Sequence, residues 1–177
     1  RTHEMHATER NPGMRFAVRS WLVGVIAVSL ATAAAAEWPQ FQGPSRDGQS
    51  QDMDLARSWP KDGPKELWSV KLGKGFAGPA VKDGEVYLLD REDDARDILR
   101  CFDLDSGEEH WNFTYDAPGE TGFNGSRTTP TVSEKYVYTV GMMGHLYCID
   151  RTTHKAVWHK ELLAGYDDEL PWGVAQS

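Results

Sequence analysis

The sequence predicts an all-β fold, a partial β-propeller of four-stranded antiparallel blades, and two observations lead to this prediction. An eleven-residue pattern occurs twice, from Cys101 to Trp111 and again from Cys148 to Trp158, and the two starts lie 47 residues apart. Short β-rich runs joined by polar turns precede each copy. Four short strands in a unit of this length are typical of a propeller blade, which needs neighbouring blades to bury its faces.

The upstream half of each unit predicts a β-hairpin. Gly78–Asp90 and Thr129–Gly141 share Pro, Val and a Val-Tyr pair at matching positions, with a polar turn in the middle of each run. Alternating β-branched and aromatic residues on either side of a turn indicate antiparallel pairing. One strand, Leu67–Leu72, is expected to belong to a neighbouring blade. The eight others are Ala77–Val81, Glu85–Asp90, Ile98–Asp103, Glu109–Tyr115, Thr128–Val132, Tyr136–Val140, His145–Asp150 and Ala156–Leu162.

The first 36 residues predict an export signal. Residues 1–13 show no hydrophobic periodicity and are interpreted as a non-native upstream segment. Residues 14–36 combine two early arginines, the apolar run Trp21–Leu30 and the small residues Ala31–Ala36, which is the pattern of a secretory signal peptide cleaved after Ala36. A membrane anchor is the alternative, but the apolar run is short against the roughly 20 residues that a spanning helix needs.

Two segments follow the predicted signal. Residues 37–66 are expected to form an N-terminal loop segment docked by Trp38 and Phe41, with a short helix over Asp52–Ser58. Residues 67–177 are expected to hold the repeats. The final run, Trp172–Ser177, resembles the approach to a further strand, so the sequence predicts a propeller truncated in mid-repeat.

The net charge of the chain limits which kinds of partner it can bind. The net charge of −8 argues against nucleic acid, because phosphate backbones attract clustered lysine and arginine. Proteins are the expected partners, together with the remaining blades of the full-length chain, and no stable membrane span is expected after signal cleavage.

Cys101 and Cys148 occupy the same place in successive units. They should therefore lie further apart than the roughly 7 Å that a disulfide allows, and both are expected to be buried thiols.

The repeated motif has a structural interpretation. Asp and Ser side chains bond to turn backbone, and Gly107 permits a positive φ. Trp111 presents a large apolar surface that an adjacent blade is expected to cover. His154 stands where the first copy has Gly107, and histidine is among the residues that tolerate the left-handed region.

These residues resemble the tryptophan-docking motif, close to A-x-D-x-x-T-G-x-x-x-W, of the PQQ-like (pyrroloquinoline quinone) β-propeller repeat family, within the quinoprotein alcohol dehydrogenase-like superfamily. The matching positions are Asp103, Ser106, Gly107, Trp111, Asp150, Thr153 and Trp158. The opening Trp38–Ser50 is similar to the start of exported family members. The resemblance implies seven or eight blades, of which about two and a half are present in this N-terminal fragment.

The resemblance implies two functions. The leading hypothesis is a periplasmic or secreted bacterial scaffold that binds proteins without catalysis, similar to the propeller lipoprotein of outer-membrane assembly. The alternative is a quinoprotein dehydrogenase of alcohols or sugars that uses pyrroloquinoline quinone and calcium. Many such enzymes place adjacent cysteines over the quinone, and no adjacent pair occurs in this sequence. No residue is assigned a catalytic, cofactor-binding or metal-binding role, and the quinone and calcium belong only to the alternative.

Four further features of the sequence bear on possible chemistry. The acidic run Asp90–Asp97 is expected to be a solvated turn, because it lacks the central Gly and closing Glu of a calcium loop. Asp167–Glu169 is expected to be an exposed loop between blades, with a channel-facing position as the alternative. The histidines show no metal-binding spacing. Arg127 precedes a blade's first strand, where a side chain is expected to line the central channel.

Overall fold

The computed structural model describes residues 37–50, 52–53, 55–166 and 171–175, which form two antiparallel sheets of four strands each. Sheet 1 contains β1 (Ala80–Lys82), β2 (Glu85–Glu92), β3 (Arg96–Asp103) and β4 (Glu109–Asp116). Sheet 2 contains β5 (Thr131–Val132), β6 (Tyr136–Val140), β7 (His145–Asp150) and β8 (Ala156–Glu161). Within each sheet the strands lie in chain order. The all-β prediction of four-stranded antiparallel blades is confirmed.

Several predicted features lie outside the described residues. These are the upstream segment 1–13, the signal peptide 14–36 and the acidic loop Asp167–Glu169. In the part of the chain that is described, there is no helix with the length and apolarity that a bilayer crossing requires.

The repeat in the sequence corresponds to a repeat in the pairing register of the strands. In sheet 1, Cys101 lies between Tyr87 on β2 and Trp111 on β4. In sheet 2, Cys148 lies in the same way between Tyr138 and Trp158. A β-bulge follows the cysteine in both sheets. The period in the sequence therefore reflects one sheet design built twice, including its irregularity.

The hydrophobic core lies between the two sheets. Its buried side chains come from both: Ala80, Tyr87, Leu89, Leu99, Cys101 and Trp111 from sheet 1, and Val132, Val137 and Ile149 from sheet 2. Both cysteines are buried and free, so the prediction of unbridged thiols is confirmed. Neither sheet buries these residues alone, which is why the unit repeats.

The N-terminal segment crosses the edges formed by β1 and β5, which we call the inner edge of the two sheets. Trp38 exchanges two backbone hydrogen bonds of 2.9 Å with Val81 of β1, and the Pro39 carbonyl accepts one of 2.7 Å from Val132 of β5. The prediction that Trp38 docks this segment is confirmed. The same prediction for Phe41 is wrong, because this side chain is 54% exposed.

Two predicted elements are absent from the described residues. Leu67–Leu72 forms no strand, because none of the described segments offers it a ladder of hydrogen bonds. The described part of Asp52–Ser58 forms no helix. A single turn there would have to be stabilised by burial, and Met53 and Leu55 are 87% and 64% exposed.

The acidic run Asp90–Asp97 is not the solvated turn that the sequence predicted. β2 continues to Glu92 and β3 begins at Arg96, so only three residues form the turn. Arg91 and Asp97 face each other with fully buried side chains, 2.7 Å apart. The Arg91 guanidinium also donates to the carbonyls of Ala117 and Gly119 at 2.8 and 2.7 Å. This buried ion pair, with its hydrogen bonds, packs the acidic run into the folded structure instead of leaving it in solvent.

Burial raises the pKa of Asp97 above its ordinary value, while the hydrogen bond and charge of Arg91 oppose the rise. Arg91→Met should therefore leave a buried carboxylate without its cation. We expect a loss of about 3–5 kcal/mol in the free energy of unfolding, measured by urea denaturation. The double variant Arg91→Met/Asp97→Leu should recover most of the loss. A double variant as unstable as the single one would contradict this account.

Candidate functional site

The turn between β3 and β4, residues 103–108, is closed by one carboxylate. Asp103 Oδ1 accepts hydrogen bonds from the backbone of Asp105 and Ser106 at 3.1 and 2.8 Å, and from the Ser106 hydroxyl at 2.7 Å. These bonds, the Ser106 hydroxyl first, lower the pKa of Asp103. Gly107 completes the turn with φ +73°.

The turn between β7 and β8, residues 150–155, repeats this geometry. Asp150 Oδ1 accepts from the backbone N–H groups of Thr152 and Thr153 at 2.9 and 2.8 Å, and these bonds lower the pKa of Asp150. His154 has φ 57°, so the prediction of a left-handed histidine in the glycine position is confirmed.

Each turn lies against a tryptophan from the preceding part of the chain. The ring of His154 stacks on Trp111, with centroids 4.5 Å apart and planes 8° from parallel, and Trp111 is 9% exposed. In the first turn, the Trp68 indole donates to the Leu104 carbonyl at 2.8 Å. A Cβ on Gly107 would lie 2.5 Å from the Trp68 ring, so this turn requires glycine. On the far side of sheet 2, Trp158 is 41% exposed.

An arginine joins the second turn to sheet 1. Arg151 donates to Asp83 Oδ2 at 2.8 Å, to the Tyr87 hydroxyl at 2.9 Å and to Glu85 Oε2 at 3.2 Å. Tyr87 in turn donates a short hydrogen bond to Glu85. Burial by itself opposes ionisation of Glu85, but the hydrogen bonds from Tyr87 and Arg151 outweigh it, and its pKa is lowered. Arg151 was not predictable from the repeat, because the first copy has Leu104 at that position.

A groove of about 730 Å³ lies at the inner edge of the sheets, beside the N-terminal segment. Trp38, Phe41, Phe76 and Arg127 are among its lining residues. The Arg127 guanidinium lies 5.6 Å from the centre of the Phe76 ring and donates to the Phe123 carbonyl. The structure thus places Arg127 in this groove, together with Val81 of β1. That Arg127 lines a central channel stays a prediction.

A cluster of possible metal ligands was not predicted from the sequence. Ligand atoms of Glu85, Cys101 and His110, one on each of three neighbouring strands, lie within 4.8 Å of one another. No two histidines have metal-binding spacing along the chain, so the sequence predicts no metal site at His110. The cluster depends on pairing between strands, and spacing along the sequence does not show such pairing.

Comparison with known proteins assigns the family. Residues 52–169, about two thirds of the chain, match the family PQQ_2, described as "Outer membrane protein assembly factor BamB". The chain belongs to this family. The family assignment agrees with the resemblance seen in the repeated motif.

The names of the individual relatives indicate different functions. The chain is 29% identical over 179 residues to "1-butanol dehydrogenase (cytochrome c)" of Thauera butanivorans, covering 94% of this chain and a quarter (25%) of that protein's length. BamB from Moraxella catarrhalis is 18% identical with a TM-score of 0.41, over 54% of this chain and 26% of that one. The quinohemoprotein alcohol dehydrogenase from Comamonas testosteroni is 23% identical with a TM-score of 0.43, and the match covers 55% of this chain and 14% of that one.

The stacking geometry predicts unequal costs for removing the two repeated tryptophans. Trp111→Ala should destabilise the chain by about 3–5 kcal/mol, because it empties a covered site between the sheets. Trp158→Ala is the matched control and should cost clearly less, since that indole is already 41% exposed. Urea denaturation followed by far-UV circular dichroism measures both. Equal losses would show that the contact with His154 contributes nothing particular.

The turn carboxylates predict an acid dependence of stability. Because the pKa of Asp103 is lower in the fold than its ordinary value of 3.8, its contribution is present above that value and is lost as the pH falls through the folded pKa. Asp103→Asn should lower stability at pH 6 and flatten the decline below about pH 4. Ser106→Ala, which removes one donor, should give a smaller change in the same direction. Parallel stability curves for the three proteins would contradict the assignment.

Proposed function

We propose that the whole protein is an exported, non-catalytic PQQ-like propeller that binds partner proteins in the periplasm or outside the cell of a bacterium. The groove beside the N-terminal segment carries this proposal. Phe41 and Phe76, 54% and 69% exposed, line it together with Arg127. Exposed aromatic residues next to an arginine are the composition enriched at the energetic centres of protein interfaces.

The aromatic surface extends beyond the groove. Arg127 links Phe76 to the Phe123 backbone, and Phe123 stacks on Trp172 with ring centres 5.1 Å apart. Phe123 and Trp172 are 54% and 55% exposed. Contiguous exposed apolar surface of this kind is typical of a binding site. An extended segment of a partner protein is the occupant that a groove of this shape fits best, with its backbone carbonyls or a carboxylate near Arg127.

The family supports the same function. Its description names an outer membrane protein assembly factor, and we extend to this chain the coarser property of protein binding. Export rests on the predicted signal peptide at residues 14–36. In this proposal the seven motif residues, from Asp103 to Trp158, have a structural role that holds successive blades together, and the groove beside the N-terminal segment is the surface that binds.

Photocrosslinking in the native host tests the proposal. A photoreactive benzoyl-phenylalanine in place of Phe76 should give discrete adducts with one or a few envelope proteins in the full-length protein. The control carries the same residue in place of Asn112, which is exposed on β4, away from the groove. Arg127→Gln should reduce the Phe76 adducts several-fold. If both positions crosslink alike, or neither does, the groove is not the binding surface.

A quinoprotein dehydrogenase is the second candidate, favoured by the 29% identity to the 1-butanol dehydrogenase. Calcium takes six to eight oxygen ligands, and the oxidation needs a carboxylate base near the quinone. No carboxylate is among the described residues that line the groove. These residues by themselves do not fit a calcium-bound quinone, and no reaction step is derived from them.

One titration separates the two candidates. The full-length protein, mixed with pyrroloquinoline quinone and calcium, should show no saturable change in quinone absorbance if it is a scaffold. Stoichiometric uptake together with oxidation of 1-butanol would replace the scaffold with the enzyme.

A further inference from the structure

The cluster of Glu85, Cys101 and His110 is produced by the β-bulge of sheet 1. Cys101 pairs with Trp111, and its neighbour Phe102 pairs with Glu109, so His110 is the extra residue on β4. In a bulge of this kind the extra residue does not alternate normally, and its side chain can share a face with the next one. The imidazole thereby reaches the face that carries the Cys101 thiol and the Glu85 carboxylate.

The three groups are arranged as a ligand set. His110 Nδ1 lies 3.5 Å from Glu85 Oε1, and His110 Nε2 lies 3.9 Å from Asp103 Oδ2. A carboxylate behind the far nitrogen of an imidazole is the common support for a metal-binding histidine, because it fixes the ring's tautomer and orientation. Arg151 and Tyr87 hold the other oxygen of Glu85, so Oε1 is the oxygen directed at the cluster.

Burial gives the cluster a closed base and an open side. Cys101 is fully buried at the base, Glu85 is partly buried, and the His110 side chain is 41% exposed. An ion could therefore enter past the imidazole and meet the thiol last. Sulfur, nitrogen and oxygen donors in one small set favour zinc over calcium or magnesium, which prefer oxygen ligands alone.

Sheet 2 supplies an internal comparison. At the positions that match Glu85, Cys101 and His110 by register, it has Tyr136, Cys148 and Val157. The same sheet, with the same bulge, thus forms without the carboxylate and the imidazole. The blade design accounts for the cysteine, but it does not require Glu85 or His110.

We propose that Glu85, Cys101 and His110 form a binding site for one zinc-class divalent cation, with solvent as the fourth ligand on the open side. In tetrahedral zinc sites, bond lengths of about 2.0–2.3 Å place ligand atoms about 3.3–3.8 Å apart. The His110 Nδ1–Glu85 Oε1 distance of 3.5 Å already lies in this range, and all three ligand atoms lie within 4.8 Å of one another. Binding replaces the thiol proton of Cys101 with the metal and releases that proton to solvent. No oxidant or reductant takes part.

Cobalt(II) is the probe, because a thiolate bound to cobalt gives a charge-transfer absorption that oxygen and nitrogen ligands do not give. The 177-residue chain contains two cysteines, Cys101 and Cys148, so the source of such a band in this chain can be assigned. We expect one equivalent of cobalt to produce the band and one equivalent of zinc to abolish it. Absence of the band in the unmodified protein would overturn the proposal.

Matched variants assign the ligands. Cys101→Ala should abolish the band, whereas Cys148→Ala, the same change in the sheet without the other ligands, should keep it. His110→Val introduces the residue that sheet 2 already carries at this position, on a partly exposed side chain, and should weaken cobalt binding at least about tenfold with unchanged far-UV circular dichroism. A cobalt–thiolate band that survives Cys101→Ala would refute the site. If Cys101→Ala does not fold, unchanged cobalt affinity in His110→Val would refute it instead.

Discussion

The structure depends on a tryptophan of one unit being covered by the turn of the next. Trp111 belongs to sheet 1, but its flat face is covered by His154 of sheet 2, and Trp68 lies against the turn around Gly107 in the same relation. The Arg151 contacts with Asp83, Glu85 and Tyr87 add a polar connection beside the first of these stacks. A four-stranded sheet buries only one face against each neighbour, so this contact is what turns separate hairpins into one core.

The two units are alike where sheets must pack and differ where they face solvent or the groove. Tyr, Cys and Trp occur in the same register in both sheets. In sheet 1 these side chains lie in the contact with sheet 2. Glu85 and His110 have no counterpart in sheet 2, and Arg127 lies before β5 at the inner edge. Both the groove and the ligand cluster use such unmatched residues, which is how a repeated scaffold acquires a particular function.

The sequence predicted the strands inside the repeat well and the segments outside it poorly. All four strands of each sheet lie within three residues of their predicted limits, because alternation and turn residues are local properties. Leu67–Leu72 has the same local pattern, yet a strand also needs a hydrogen-bonded partner, and none of the described segments pairs with it. The Asp90–Asp97 run looked like a solvated loop because its charges compensate each other only after β2 and β3 pair and bury Arg91 with Asp97.

By itself, the sequence determined the period of the fold, the free cysteines and the left-handed turn at His154, since each follows from spacing or from the conformational range of one residue. Only the tertiary structure decided which indole is covered, that Arg151 reaches across to sheet 1, and that Glu85, Cys101 and His110 meet on one face. These contacts join residues on different strands or sheets. Their proximity is set by register, by a bulge and by the packing of one sheet on the next, and none of these is fixed by the order of residues along a single strand.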